Sequence, residues 1–155
     1  MTVPVADVQD VADRLAVRAL LSRYTQACDR KDWELLDTCF LPDAAIDYQG
    51  LPPFSDGYAG LRANTVRVLG QLRSTQHLLG NLHVEIDGDE GRAVSYVQAT
   101  HLGTDGRVFV TGGRYDDRLV RTPQGWRIAA RTFRRQWGTD PDGLGASLKG
   151  APRPS

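Results

Sequence analysis

From about Val5 to Cys28, the apolar residues Val8, Val11, Leu15, Ala19 and Leu20 recur at three- and four-residue steps, with Arg14, Arg18 and Arg23 between them. This spacing predicts an amphipathic helix. Asp29, Arg30 and Lys31 interrupt it, and Asp32 is placed to cap a short second helix in which Trp33, Leu36 and Phe40 share a face. Pro42 has no backbone N–H to offer a helix interior, so the second helix is expected to stop there. Ala44 to Tyr48 reads as a short strand and residues 50–57, GLPPFSDG, as a loop. A third helix is predicted from about Tyr58, with Leu61, Val68, Leu69 and Leu72 on its buried side.

Beyond residue 80 the period changes to two. Leu82, Val84 and Ile86 alternate with His83 and Glu85, and residues 87–91, DGDEG, supply a turn. Further strands are expected at about 92–102, 107–121 and 125–137, the first pair separated by GTDG and the second by TPQG. Helices followed by long strands indicate an α+β domain, its helices packed on one face of an antiparallel sheet. The expected division is one domain over residues 1–138 and a glycine- and proline-rich tail over 139–155, read as disordered or as a lid.

Composition narrows the function classes. With 155 residues and 41% hydrophobic content, the chain suits one domain with a real core. Nineteen basic residues balance nineteen acidic ones, so neither nucleic acid nor an anionic membrane is an expected partner; a small neutral or weakly acidic molecule fits better. The apolar runs are far shorter than the roughly 20 residues a spanning helix needs. The start, MTVPVADVQD, lacks a basic region followed by an apolar stretch, and a cytoplasmic location is expected. Cys28 and Cys39 form no CxxC pair and read as reduced core residues. No residue cluster has metal-ligand spacing, and GTDGRVFVTGG lies in a hairpin, not between a strand and a helix, so no metal or other cofactor is expected.

Several polar residues are harder to assign to packing. His77 and His83, in RSTQHLLGNLH (73–83), stand six residues apart and would face the same way in one regular strand, but Gly80 and Asn81 interrupt it. Asp29 ends the first helix, where the dipole disfavours a carboxylate by roughly 0.3–1 kcal/mol. It belongs either to a solvated linker or to a cavity in which it orients a histidine. His101 shares a strand face with Ser95, Val97 and Ala99, and both faces of that strand are mixed, as in a strand with one side on a core and the other lining a polar pocket. Tyr24, Tyr48 and an arginine of RTFRRQW (131–137), Arg134 or Arg135, are further candidates. One Asp, two His and two Tyr make the acid–base set that proton transfer needs.

The blocks DRKDW (29–33), PDAAIDY (42–48) and TQHLLG (75–80), with a weaker GWRIA and QWG (125–138), give the chain its resemblance to a known group. From about residue 10 to 138 it resembles the cone-shaped NTF2-like superfamily, in particular the SnoaL-like branch and the scytalone and bile-acid dehydratases. The resemblance implies catalytic roles for Asp29, His77 and His101, and a Tyr48 that helps hold a substrate carbonyl. Cys28 stands where scytalone dehydratases have a tyrosine; Tyr24, five residues before Asp29, matches the bile-acid group instead. The block GGRYDD (112–117) departs from the family's polar strand pair and implies a different substrate, with Tyr115, Trp137, Arg134 and Arg135 expected to contact it. His83 is expected to be structural or superficial.

The expected activity is a cofactor-independent lyase, a dehydratase of a small cyclic or polycyclic carbonyl compound, with one histidine as base and the other protonating the departing hydroxyl. Isomerisation, polyketide ring closure and dehydrohalogenation share its first step, and a non-catalytic binding module is the alternative of another class. A homo-oligomer, trimer or dimer, is expected.

Overall fold

In the computed structural model, which describes residues 7–49 and 56–140, helix α1 covers Val8–Arg30. The Asp7 carboxylate caps it by accepting the Gln9 N–H, and Lys31 ends it in the left-handed region at φ 57°. Its buried ridge is Asp13, Val17, Leu20, Leu21, Tyr24, Ala27 and Cys28. This corrects the predicted inward stripe, because Val8, Val11, Leu15 and Ala19 are exposed and of that set only Leu20 is buried. Asp13 is the reason. Arg121 donates to both of its carboxylate oxygens at 2.7 Å, and the Trp126 indole N–H donates at 3.1 Å. A paired carboxylate can point inward without an unsatisfied charge, and the first turns of α1 are thereby rotated apolar side out.

Helix α2, Trp33–Asp37, is capped by Asp32, whose carboxylate accepts the Leu35 N–H. It ends before Phe40, which opens strand β1, Phe40–Tyr48. Pro42 therefore lies within a strand and not at a helix end. It is tolerated because β1 is an edge strand and its pairing is irregular between Phe40 and Ala45. Helix α3, Gly57–Gly70, buries Tyr58, Leu61, Val68 and Leu69. Gly57 has φ +55°, and a Cβ there would lie 2.5 Å from the Ala44 carbonyl oxygen, so only glycine fits this approach of α3 to β1. Most of the predicted 50–57 loop lies outside the described residues.

Strands β2 (Leu72–Asp87), β3 (Glu90–Gly103), β4 (Val108–Thr122) and β5 (Gly125–Gly138) complete one sheet in the order β1-β5-β4-β3-β2. β1 runs parallel to β5; the other neighbours are antiparallel. β2 begins ten residues earlier than the alternation from Leu82 suggests, so His77 sits inside a strand and not in a loop leading to one. Its pairing with β3 slips between Gly80 and His83, where Asn81 has φ 50°. That bulge breaks the even step: the His77 side chain is 8% exposed and that of His83 71%.

Helix α1 lies against β2 and β5, and α3 against β1 and β2, so both cover the same concave face of the sheet. Val17, Leu20, Leu36, Leu119 and Ile128 form the closed part of the core, all at most 1% exposed. The expected α+β architecture holds, with the sheet curved and unclosed. Beyond β5, Thr139 still pairs with Val110 through both its backbone N–H and its hydroxyl. The rest of the predicted tail, 141–155, lies outside the described residues.

The corrected helix face gives a paired prediction. Ile128→Ala should lose about 2–5 kcal/mol in denaturant unfolding through the cavity it leaves. Leu15→Gln, on the outward ridge, should change stability by no more than about 0.5 kcal/mol. The reverse ranking would contradict the packing described.

Candidate active site

Asp29 occupies the last turn of α1, and His77 the inward face of β2. The carboxylate accepts two hydrogen bonds from this one residue, from the His77 backbone N–H at 3.0 Å and from ring Nδ1 at 2.6 Å. These bonds offset the unfavourable end of the helix dipole. They also fix the ring. With Nδ1–H donating to the carboxylate, Nε2 is left with a free lone pair.

His101 lies across from it on β3, its ring centroid 5.7 Å from that of His77. Its Nδ1 shares a 2.7 Å hydrogen bond with the hydroxyl of Thr75, its register partner on β2. Burial, reinforced by His77 and opposed by Asp29, lowers the His101 pKa to about 4. At neutral pH this imidazole is uncharged.

His77 and His101 open into a cavity of about 140 Å³. Leu61, Val68, Leu69, Val97, Ala99 and Phe133 make its apolar wall, and Tyr24, Tyr48 and Tyr115 stand together in the same lining. The Tyr24 and Tyr115 hydroxyls are 3.2 Å apart. Burial, above all, raises the pKa of each of the three, so all are neutral phenols able to donate. Cys28, where the family resemblance leads one to look for a tyrosine, also lines the cavity, its thiol pushed up to about 12 by burial. It is a neutral thiol and no nucleophile.

The structure thus brings together Tyr24, Tyr48, His77, His101 and Tyr115, with Asp29 behind His77. Arg134, Arg135 and Trp137 are not part of the lining. Arg134 is half exposed and pairs with Asp116 at 3.2 Å. Arg135 turns to the carbonyl of Asp140. The pairing of β5 with β4 slips between Gly113↔Arg135 and Gly112↔Trp137, which turns Trp137 to the outer face. Its indole lies where a Cβ on Gly112 would be, just as the ring of Phe133 fills the space above Gly113. The two glycines of GGRYDD are therefore seats for aromatic rings.

Residues that sequence reasoning missed include Thr75, Phe133 and, most consequentially, Arg131 and Asp117. Both side chains of that pair are fully buried, and Nε and Nη2 of Arg131 donate to the two Asp117 oxygens at 2.7 and 2.8 Å. The one available signal was alternation, which puts Arg131 and Phe133 on the same face of β5. Among the described residues, no three His, Cys, Asp or Glu side chains are grouped to hold a metal ion, and no helix is long and apolar enough to cross a membrane.

The SnoaL-like domain family matches residues 9–132. The chain belongs to the SnoaL-like family. It is also 37% identical over 126 residues to an uncharacterized protein of Mycobacterium tuberculosis, covering 80% of this chain and 86% of that one. A protein of Novosphingobium aromaticivorans assigned as an aromatic ring hydroxylase has 31% identity, with 82% and 91% of the two chains covered and a TM-score of 0.75. A second protein of that organism, assigned as a scytalone dehydratase, has 22% identity, 84% and 89% coverage and a TM-score of 0.77, which establishes the shared fold. This SnoaL-like chain therefore carries the NTF2-like cone that its sequence blocks led one to expect.

Burial of a neutral His101 gives a pH dependence of stability. Its folded pKa of about 4 lies below the ordinary 6.5, so the unfolded chain binds the extra proton between these values. The contribution is complete above pH 6.5 and falls as pH drops towards 4, by on the order of 3 kcal/mol. Thermal unfolding across that window should show the decline, and His101→Asn should flatten it. An equally steep decline in the variant would contradict the assignment.

Proposed function

We propose that the protein is a cofactor-independent lyase, acting as a dehydratase on a small, uncharged cyclic carbonyl compound. The observation that carries this reading is the Asp29–His77 pair beside an apolar cavity whose lining also includes three tyrosines. His77 Nε2 takes the proton from the carbon next to the carbonyl. The tyrosine hydroxyls donate to the oxygen that becomes an enolate. As the carbonyl re-forms, the C–O bond at the adjacent carbon breaks, and the His77 imidazolium gives its proton to the departing hydroxide, which leaves as water. His101, held neutral, acts as a hydrogen-bonding partner and not as the acid. This revises the division of labour expected from the sequence.

The absence of charge on the substrate follows from the lining. Among the described residues, the guanidinium against the rings of Tyr24 and Tyr115 is that of Arg131, and its Nε and Nη2 are committed to the Asp117 carboxylate. A ring compound is supported by the names carried by the two Novosphingobium proteins. Isomerisation, ring closure and dehydrohalogenation begin with the same proton abstraction and would use the same residues; a ligand-binding module would use only the cavity.

A screen of cyclic β-hydroxy ketones for conversion to the conjugated enone tests the reading. His77→Ala should lower kcat by about 10²–10⁴-fold with an unchanged circular dichroism spectrum. Full activity in that variant would remove His77 from the mechanism, and binding without conversion of any compound would leave a binding module.

We further propose that the chain self-associates through the outer face of the sheet, where Leu78, Tyr96, Val108 and Trp137 are 43–59% exposed. Sedimentation velocity should show a dimer or trimer that Trp137→Glu weakens. A wild-type monomer would contradict this.

A further inference from the structure

Thr75 and His77, two residues apart, share the inward face of β2, and His101 is the register partner of Thr75 on β3. Thr75 is 8% exposed and His101 5%. The 2.7 Å bond between the threonine hydroxyl and ring Nδ1 is, among the described residues, the only hydrogen bond that either side chain makes. Valine has nearly the same shape and suits a strand equally well. What threonine adds is the hydroxyl, and that hydroxyl has one destination. Burial lowers the His101 pKa to about 4, so at neutral pH the ring carries a single proton, and Nδ1 either donates it to the hydroxyl or accepts from the hydroxyl.

We infer that Thr75 is a positioning residue: its hydroxyl donates to Nδ1 of His101 and so fixes the proton of that ring on Nε2, giving the cavity one imidazole that accepts and one that donates. A hydroxyl has one proton and two lone pairs. Were Nδ1–H the donor, the Thr75 proton would be buried with no acceptor among the described residues, which is the costly case; with the hydroxyl donating, only lone pairs go unused. The partner of the other histidine works in the opposite sense. A carboxylate only accepts, so Asp29 holds the His77 proton on Nδ1 and leaves Nε2 basic. The two rings, 5.7 Å apart and lining one cavity, thus carry opposite tautomers because their neighbours have opposite hydrogen-bonding character. For its chemical consequence the inference rests on the lyase reading, and it deepens that reading by naming the leaving group. His77 takes the C–H proton and returns it to the departing oxygen, while His101 Nε2–H donates to that oxygen as the C–O bond breaks and keeps its own proton. A hydroxyl accepts such a bond well and a carbon-bound halogen poorly, so the pair selects hydroxyl over halide.

Nitrogen NMR of the ¹⁵N-histidine protein, with His101→Asn identifying the signals, reads this tautomer without any ligand. At neutral pH the wild type should carry the His101 proton on Nε2 and none on Nδ1. Thr75→Val, which keeps the shape, should raise the share of protonated Nδ1 at least about threefold, and Thr75→Ser, which keeps the hydroxyl, should restore the wild-type pattern. A proton on Nδ1 in the wild type, or a pattern that Thr75→Val leaves unchanged, would overturn the inference; should the valine variant fail to fold, the wild-type spectrum decides alone. On a cyclic β-hydroxy ketone that the protein converts, Thr75→Val should lower kcat about tenfold with KM changed less than about twofold, and Thr75→Ser should recover it. Equal losses in the two variants would make Thr75 a purely structural residue and overturn the inference. The expected tautomer without conversion of any ketone would sink the lyase reading alone, and conversion with the His101 proton on Nδ1 would sink this inference alone.

Discussion

The Asp29 carboxylate accepts two hydrogen bonds from a single residue across the boundary between helix and sheet, and the orientation of the whole site depends on it. The backbone bond ties the end of α1 to the middle of β2, and the ring bond decides which nitrogen of His77 remains basic. A carboxylate placed against a helix dipole is thus stabilised by the same contacts that set up the chemistry. Without the ring contact His77 could rotate about χ2, and its lone pair would have no fixed direction.

Around this contact the cavity is built from neutral groups. Burial keeps His101 unprotonated, the Cys28 thiol undissociated and the three tyrosines phenolic. The two full charges beneath the tyrosines, Arg131 and Asp117, cancel at a distance while leaving the cation next to the rings. Such a site holds an uncharged molecule and responds when charge develops on it, which is the requirement for stabilising a transition state over a ground state.

Much of this was legible in the sequence, for reasons that differ between residues. Asp29, His77 and His101 stood out because each was a polar side chain that its element did not call for, and the alternation of β3 already placed His101 with Val97 and Ala99. The strand containing His77 was hidden, because Leu78 and Leu79 in succession give no period of two. Arg131 was hidden for a different reason. In RTFRRQW it is one basic residue among several, and its burial depends on Asp117, brought opposite it only when β4 and β5 pair. The outward turn of Val8, Val11 and Leu15 was likewise unreadable, since Asp13 becomes an inward residue only when Arg121, more than a hundred positions away, reaches it. Local pattern reports local structure; a buried charge is decided by a partner that only the fold supplies.

The claim on which the account rests is that Asp29 holds the imidazole of His77 with Nδ1 protonated and Nε2 free. Nitrogen NMR of the protein labelled with ¹⁵N-histidine reads this directly, with Asp29→Asn as the reference. The account predicts a proton on Nδ1, hydrogen-bonded and shifted far downfield, a proton-free Nε2 in the neutral ring, and loss of that pattern in the variant. A proton on Nε2 in the wild type, or a spectrum unchanged by Asp29→Asn, would contradict it.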